Sequence, residues 1–185
     1  MVSQFVSPDK VGLLGDIDFE FPEGIHAIGR LDNHSEGLLI LTTNKKVTKL
    51  LFESKVPHKR TYIVQVRHKV TQESLEQLRT GVTICIKGGE HYTTTPCLTE
   101  IIEKPEGLNT RPDDFNEDLP HTWLSITLTE GKYHQIRKMT DALRHRTKRL
   151  IRVSIEDLKL GNLQPGCVRE IEEATFFTQL KIDNW

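Results

Sequence analysis

The chain has 185 residues, of which 36% are hydrophobic and 28% are charged, and its formal net charge at pH 7 is −1. This composition is ordinary for a globular protein, and the absence of a long apolar run argues against a membrane span or a secretory signal peptide. The three cysteines are widely spaced and the eight histidines lack metal-ligand spacing. We therefore expect no disulfide framework, no metal site and a cytoplasmic location.

Periodic apolar patterns predict a succession of short strands and helices in the first half of the chain. Asn44 and Thr71 are candidate helix N-caps, and Gly81 is a candidate helix stop. The predicted elements are a strand over 38–43, a helix over 45–53, a strand over 61–67, a helix over 72–80 and a strand over 82–87.

The second half of the chain contains a long irregular segment at 104–121, whose Pro, Gly, Asn and acidic residues indicate an exposed loop. The other predicted elements are one or two strands within 90–103, a strand over 122–129, a helix over 133–143, strands over 149–153, 155–160 and 168–171, and a short helix over 172–180. This irregular alternation predicts an α+β fold with a mainly antiparallel or mixed sheet, in one continuous domain over 1–185.

The charge is distributed unevenly along the chain. Residues 130–152 carry a net charge of +6, whereas residues 99–118 hold seven acids opposed by only two basic side chains. An arginine-rich segment of this length suits contact with phosphates, although a solvated helix face would have the same composition. Charge alone leaves nucleic-acid binding and a plain surface role equally open.

The turn at 29–37 carries Asp32, and an apolar run follows this turn directly. Gly29 and Gly37 bracket the turn and permit tight backbone geometry, so Asp32 should lie on a rigid loop at the edge of a core. A carboxylate in such a place can act as a nucleophile or a general base. The same residue types before a strand also commonly make only a turn.

Four segments, in order along the chain, resemble motifs of RNA pseudouridine synthases of the RsuA/RluE type, the branch that modifies ribosomal RNA. The sequence departs from the pattern at Ser35, where threonine is commoner, and by one extra residue between Lys59 and Tyr62. The segments are Gly-Arg-Leu-Asp-x-x-Ser-x-Gly-Leu-Leu-x-Leu-Thr at 29–42, Lys-x-x-Tyr-x-Val at 59–64, Glu-Gly-Lys-x-x-Gln-Ile-Arg-Lys-Met at 130–139 and Leu-x-Leu-Gly…Pro-Gly-x-x-Arg-Glu at 158–170.

The resemblance implies a pseudouridine synthase catalytic fold, with a central sheet in two halves flanked by helices. It also implies isomerisation of uridine in ribosomal RNA, most similar to the large-subunit (23S) enzymes, without a cofactor. It maps the catalytic residues to Asp32, Tyr62 and Arg137. The target base must be flipped out of the RNA and would stack on Tyr62. Arg137, or as second choice Arg30, would favour the charged form of Asp32.

Further residues are expected to wall the uracil pocket or to hold RNA phosphates, which position a substrate without specifying it. These residues are Arg30, Leu31, Lys59, Arg60, Lys132, Ile136, Lys138, Arg144, Arg146, Lys148, Arg149 and Arg152. The expected partner is ribosomal RNA, with no membrane and no small-molecule cofactor, and the expected state is a monomer.

Two other readings of the chain remain open. A non-catalytic RNA-binding or ribosome-assembly protein could keep the fold, but it would have no reason to retain an anionic Asp32 facing phosphates. A carboxylate-dependent glycosidase would need a second catalytic acid, and no paired carboxylates are evident. Relatives usually begin with an Asn-Lys-Pro-x-Gly strand and many carry an S4-type RNA-binding module. We expect that strand to be truncated here and the module to be missing.

Overall fold

The computed structural model describes residues 1–52, 57–112, 114–183 and 185. The chain forms two compact units, the first made of Met1–His58 and Arg152–Trp185 and the second of Lys59–Ile151. The prediction of one catalytic domain over 1–185 stays a prediction. In chain order the strands and helices are β1 (His26–Ile28), β2 (Glu36–Gly37), β3 (Ile40–Thr42), α1 (Lys46–Phe52), β4 (Arg60–Arg67), α2 (Gln72–Thr80), β5 (Thr83–Cys85), β6 (His91–Thr93), β7 (Leu98–Ile102), β8 (His121–Leu128), α3 (Gln135–Ala142), β9 (Thr147–Ile155), β10 (Leu158–Lys159) and α4 (Glu173–Gln179).

The first unit is built from two small groups of strands and two helices. Strands β1 and β3 pair antiparallel, β10 pairs antiparallel with the end of β9, and β2 also pairs with β9. The side chain of Asn44 caps α1 by accepting a hydrogen bond from the amide of Lys46 at 3.0 Å. The buried core of this unit is formed by Ile28, Leu38, Ile40, Val47, Leu51, Ile155, Leu158, Phe177, Leu180 and Ile182.

The second unit is built around strand β8. Strand β4 pairs with it antiparallel over eight residues, from Arg60 opposite Leu128 to Arg67 opposite His121, and β7 pairs antiparallel with its other edge. Strands β5 and β6 form a separate antiparallel pair. Helices α2 and α3 cover the apolar residues of these strands. The core cluster includes Val64, Val66, Leu75, Leu78, Leu124, Ile126, Ile136, Met139 and Leu150.

The predicted α+β class with mainly antiparallel strands is confirmed. Helix α2 has the predicted bounds, since Thr71 accepts a hydrogen bond from the Ser74 amide at 3.1 Å and Gly81 ends the helix at a φ of +122°. Helix α3 begins two residues later than predicted because His134 adopts a left-handed conformation, at a φ of +54°. The predicted end of the helix over 45–53 lies outside the described residues.

One strand prediction near the C-terminus is wrong, and two others have different bounds. The predicted strands over 149–153 and 155–160 are present as β9, which is longer at Thr147–Ile155, and β10, which is shorter at Leu158–Lys159. The segment 168–171 forms no strand. Its residue Arg169 instead donates a side-chain hydrogen bond to the carbonyl of Lys159 at 2.9 Å, so a guanidinium rather than a strand ladder ties this segment down.

The described ranges contain neither a membrane-spanning helix nor a metal-binding cluster of side chains. None of the helices described has both the length and the apolar character needed to pass through a bilayer. No three histidine, cysteine, aspartate or glutamate side chains within the same ranges come close enough together to hold a metal ion.

Candidate active site

Asp32 lies in the first unit, on the turn between β1 and β2. Its backbone carbonyl accepts a hydrogen bond from the amide of Ser35 at 2.8 Å, which closes the turn. Asp32 and Leu31 are half-buried, whereas Arg30 is exposed. The carboxylate is therefore carried by a short hydrogen-bonded turn, as the sequence predicts.

Ser3 fixes the backbone immediately before Asp32. Its hydroxyl donates to the carbonyl of Leu31 at 3.1 Å and accepts from the amide of the same residue at 3.0 Å. One side chain thus satisfies both backbone groups of the residue next to the carboxylate. Sequence reasoning missed Ser3, because the contact joins residues 28 positions apart and no local pattern announces it.

Arg152 fixes the other end of the same turn. Its Nε donates to the carbonyl of Leu38 at 2.8 Å, and its own carbonyl accepts from the Leu38 amide at 2.8 Å. The side chain is only 6% exposed. Arg152 is therefore a buried structural residue of the Asp32 turn, and its predicted contact with RNA phosphates does not fit this burial.

Tyr62 lies on β4 in the second unit, where it is half-buried and packs against the core cluster that contains Ile136. Its neighbour Arg60 lies on the same strand, and the Arg60 guanidinium packs on Gly131, since a Cβ built on that glycine would lie 3.2 Å from Nη1. Lys59, just before the strand, is exposed. The structure thus brings β4 beside the segment that leads into α3.

Glu130 anchors the entry to α3. Its carboxylate accepts from the Tyr92 hydroxyl at 2.6 Å, the Thr95 amide at 2.9 Å and the Gln135 side-chain amide at 2.7 Å. Burial opposes ionisation of this carboxylate, but the hydrogen bonds from Tyr92, Thr95 and Gln135 outweigh it and hold the pKa of Glu130 below its usual value.

The Gln135 side chain extends this anchor back along the chain, because its Oε1 accepts from the amide of Lys132 at 2.8 Å. Helix α3 then buries Ile136 and Met139 on its inner side, at 4% and 0% exposure. Arg137 and Lys138 are half-buried and Lys132 is exposed. Ile136 and Met139 therefore attach α3 to the core of the second unit, and the hydrogen bonds of Glu130 and Gln135 fix the turn that precedes Arg137.

The basic residues after α3 differ in their environment. Arg144 and Arg146 are exposed. Lys148 is half-buried. Its burial, followed by repulsion from the charges of Arg67 and Arg146, lowers its pKa. The guanidinium of Arg67 and the Lys148 ammonium lie 5.7 and 5.3 Å from the centre of the Phe115 ring. Arg67, Arg146 and Lys148 thus form a cluster of positive charge in the second unit.

Arg149 is only 5% exposed and is held by the irregular segment that sequence analysis assigned to an exposed loop. Its guanidinium donates to the carbonyl of Asn109 at 2.8 Å and lies 3.5 Å from the Asp114 carboxylate. Burial acts against ionisation of Asp114, but contacts with Arg111 and Arg149 prevail and lower its pKa. The loop therefore docks on β9 instead of remaining free over its whole length.

Comparison with known proteins decides the family. The family model described as RNA pseudouridylate synthase matches residues 15–142, which include Asp32, Tyr62 and Arg137. The chain belongs to the RNA pseudouridylate synthase family. The resemblance seen in the four motifs is thereby confirmed, and the glycosidase reading is set aside.

Curated relatives of this family are similar over most of their length. The chain is 38% identical over 172 residues to ribosomal large subunit pseudouridine synthase E of Vibrio parahaemolyticus, covering 92% of this chain and 69% of that protein. It is 35% identical over 150 residues to the protein of the same name from Xanthomonas axonopodis, covering 80% and 76%. These similarities support the predicted likeness to large-subunit pseudouridine synthases.

A solved structure shows the same fold. A crystal structure of a pseudouridylate synthase superposes with a TM-score of 0.76 at 24% identity, covering 96% of this chain and 68% of that one. The pseudouridine synthase fold predicted from the motifs is thus confirmed.

Proposed function

We propose that this pseudouridine synthase isomerises one or a few uridines of large-subunit ribosomal RNA, with Asp32 as the catalytic carboxylate. The single observation that carries the assignment of Asp32 is its place on a half-buried turn whose backbone is hydrogen-bonded on both sides. The names of the curated relatives support the substrate, since they are large-subunit enzymes. Action on ribosomal RNA fits the expected cytoplasmic location, and the monomeric state stays a prediction.

The proposed reaction conserves every atom of the substrate. The C1′–N1 bond of uridine breaks, the uracil turns, a C1′–C5 bond forms, and the hydrogen on C5 is exchanged for one on N1. The net change therefore consumes no oxidant, reductant or co-substrate. What the protein must supply is a carboxylate held in position, a surface for the freed base and compensation of charge.

Asp32 meets the first of these requirements. The Ser3 hydroxyl holds the peptide groups of Leu31, and Arg152 holds Leu38, so the intervening turn has little freedom to reorient. A group that is fixed before the substrate arrives loses less entropy when it reaches the reactive geometry. We assign Asp32 to attack or proton abstraction at the target nucleotide.

Tyr62 and Arg137 are proposed to serve the same reaction. Tyr62 is half-buried on β4, so its ring is held by core packing while part of it stays accessible. Such a ring can stack on an extruded uracil and offset part of the cost of base flipping. Arg137 follows the anchored turn at the start of α3, and we assign its guanidinium to balance negative charge near the reacting groups.

RNA binding is proposed to depend on the cations that remain accessible. Arg144 and Arg146 are exposed and Lys148 is half-buried, so they can reach phosphates directly. Arg149 already bonds to Asn109 and contributes through the loop it holds. The proposed set of substrate and RNA contacts consists of Arg30, Leu31, Lys59, Arg60, Lys132, Lys138, Arg144, Arg146 and Lys148, with Ile136 packed beneath.

The test is site mapping on unmodified transcripts. The protein is incubated with large-subunit and small-subunit ribosomal RNA made in vitro, and pseudouridine is located by chemical sequencing. We expect one or a few sites in the large-subunit RNA, lost in Asp32→Asn and retained in the matched variant Asp18→Asn, whose aspartate is exposed. Modification that persists in Asp32→Asn contradicts the catalytic assignment, and sites found only in small-subunit RNA contradict the substrate.

A further inference from the structure

The ring of Tyr133 is an exposed aromatic surface next to α3. It is 70% exposed, so it takes no part in the core of the second unit. The imidazole of His134 stacks against it, with ring centres 3.9 Å apart and planes within 18°. Even with the imidazole stacked on one face, most of the Tyr133 side chain remains open to solvent.

The backbone that carries Tyr133 is fixed. The amide of Gln135 donates to the Lys132 carbonyl at 3.0 Å, and the Lys132 amide donates to the Gln135 side chain at 2.8 Å. His134 adopts a left-handed conformation, and its carbonyl accepts from the Lys138 amide at 3.0 Å. These hydrogen bonds preorganise the turn that carries the ring. Little conformational entropy of the turn is therefore lost when a ligand binds to Tyr133.

The charges around the ring indicate what it would bind. The Lys138 ammonium lies 5.4 Å from the centre of the Tyr133 ring, and the Lys132 ammonium lies 4.5 Å from the ring of Tyr92. A flat aromatic face with an ammonium group beside it suits a nucleobase with its flanking phosphate. Lys132, the preceding residue, is exposed and adds a second positive charge to the same turn.

We propose that Tyr133, backed by His134, is a stacking platform for an unpaired RNA base, with Lys132 and Lys138 on the adjacent phosphates. The proposal rests on the proposed function, because it adds a second base-binding position on the segment that carries Arg137. It is distinct from the position assigned to Tyr62, which is half-buried and receives the target uracil. A platform outside the core would hold a base next to the one being modified.

The test measures binding separately from catalysis. The probe is a fluorescein-labelled oligouridylate of about twelve nucleotides, titrated with protein at several salt concentrations and followed by anisotropy. We expect Tyr133→Ala to weaken binding roughly 5- to 100-fold, with an unchanged dependence on salt, since stacking releases no counterions. Tyr133→Phe should bind within about twofold of the parent chain, whereas Tyr133→Leu should resemble Tyr133→Ala.

The matched control is Leu98→Ala, which removes another exposed apolar side chain of the second unit, 67% exposed on β7. It should leave the dissociation constant unchanged. Equal affinity of Tyr133→Ala and the parent chain overturns the platform, and so does an affinity of Tyr133→Leu that matches Tyr133→Phe. The proposed function fails independently, if the parent chain makes no pseudouridine while Tyr133→Ala still binds more weakly.

Discussion

The backbones of Gly37 and Arg152 lie in direct contact. A Cβ built on Gly37 would overlap the carbonyl oxygen of Arg152 and lie 2.7 Å from its amide nitrogen, and Gly37 also has a φ of +103°. Leu38, the next residue, pairs with Arg152 through its amide and its carbonyl. The glycine at the end of the Asp32 turn is therefore required both by its conformation and by the space available.

Gly37→Ala should destabilise the protein strongly. The positive φ and the overlap with the Arg152 backbone act together, so we expect a loss of at least about 3 kcal/mol in the free energy of unfolding. The matched variant is Gly24→Ala, where φ is +79° but no atom lies within 4 Å of the added Cβ. It should lose only about 1–2 kcal/mol, the conformational cost alone. Denaturant unfolding measures both, and equal losses would contradict a steric role for Arg152.

Ser3→Ala should disturb the Asp32 turn from its other end. The substitution leaves two partly buried backbone groups of Leu31 without the hydroxyl, and we expect a loss of about 1–3 kcal/mol in stability. The rate of pseudouridine formation should fall further than stability explains, because the neighbouring carboxylate is no longer held. The control is Ser7→Ala, whose hydroxyl accepts a hydrogen bond from the exposed amide of Asp9. Unchanged turnover in Ser3→Ala, under conditions where it is folded, would contradict the positioning role.

Features that depend on neighbouring residues could be predicted from the sequence, whereas contacts between distant residues could not. Helix α2 could be predicted in full because Thr71 and Gly81 lie at its ends and carry their signals locally. The predicted catalytic residues likewise lie in motifs that are continuous in sequence. Ser3 and Arg152 could not be found, because their contacts to the Asp32 turn span 28 and 114 positions.

Two buried arginines lie on β9. Arg149 and Arg152 fall within the strand predicted over 149–153, and sequence analysis assigned both side chains to RNA phosphates. The structure instead buries both side chains, and they donate hydrogen bonds to the carbonyls of Asn109 and Leu38. A guanidinium that finds such partners can occupy an interior strand position, and sequence patterns do not reveal the partners in advance.

Glu130→Gln should lower stability in a pH-dependent way. The folded pKa of Glu130 is lowered by its hydrogen bonds, so its contribution is full above the ordinary value of 4.5 and is lost as pH falls through the lower folded value. We expect the variant to be about 1–3 kcal/mol less stable at pH 7, with the difference shrinking below about pH 4.5. Unfolding curves at several pH values measure it. The control Glu90→Gln alters an exposed glutamate and should leave stability nearly unchanged.

The hydrogen bond between Tyr92 and Glu130 also makes stability depend on pH at the alkaline end of the range. The hydrogen bond to Glu130, and secondarily burial, raise the pKa of Tyr92 above its usual value of 10.0. The contribution of Tyr92 to stability is therefore full below pH 10 and is lost as pH rises through the raised value.

The outcome that would contradict both effects lies in the acid range. If the difference in the free energy of unfolding between the parent chain and Glu130→Gln stays constant from pH 3 to pH 7, the hydrogen bonds of Glu130 do not stabilise the fold.

Arg146→Gln should weaken RNA binding without weakening the fold. Arg146 is exposed, and its charge lowers the pKa of Lys148. The repulsion between these two cations in the folded state lowers the free energy of unfolding. Removing one of them should leave the free energy of unfolding unchanged or raise it by less than about 0.5 kcal/mol. Affinity for RNA should fall, and the slope of log K against log salt should become shallower by about 1, because one fewer counterion is released. The control Lys10→Gln removes an exposed cation of the first unit. Equal salt slopes for Arg146→Gln and the parent chain would show that Arg146 touches no phosphate.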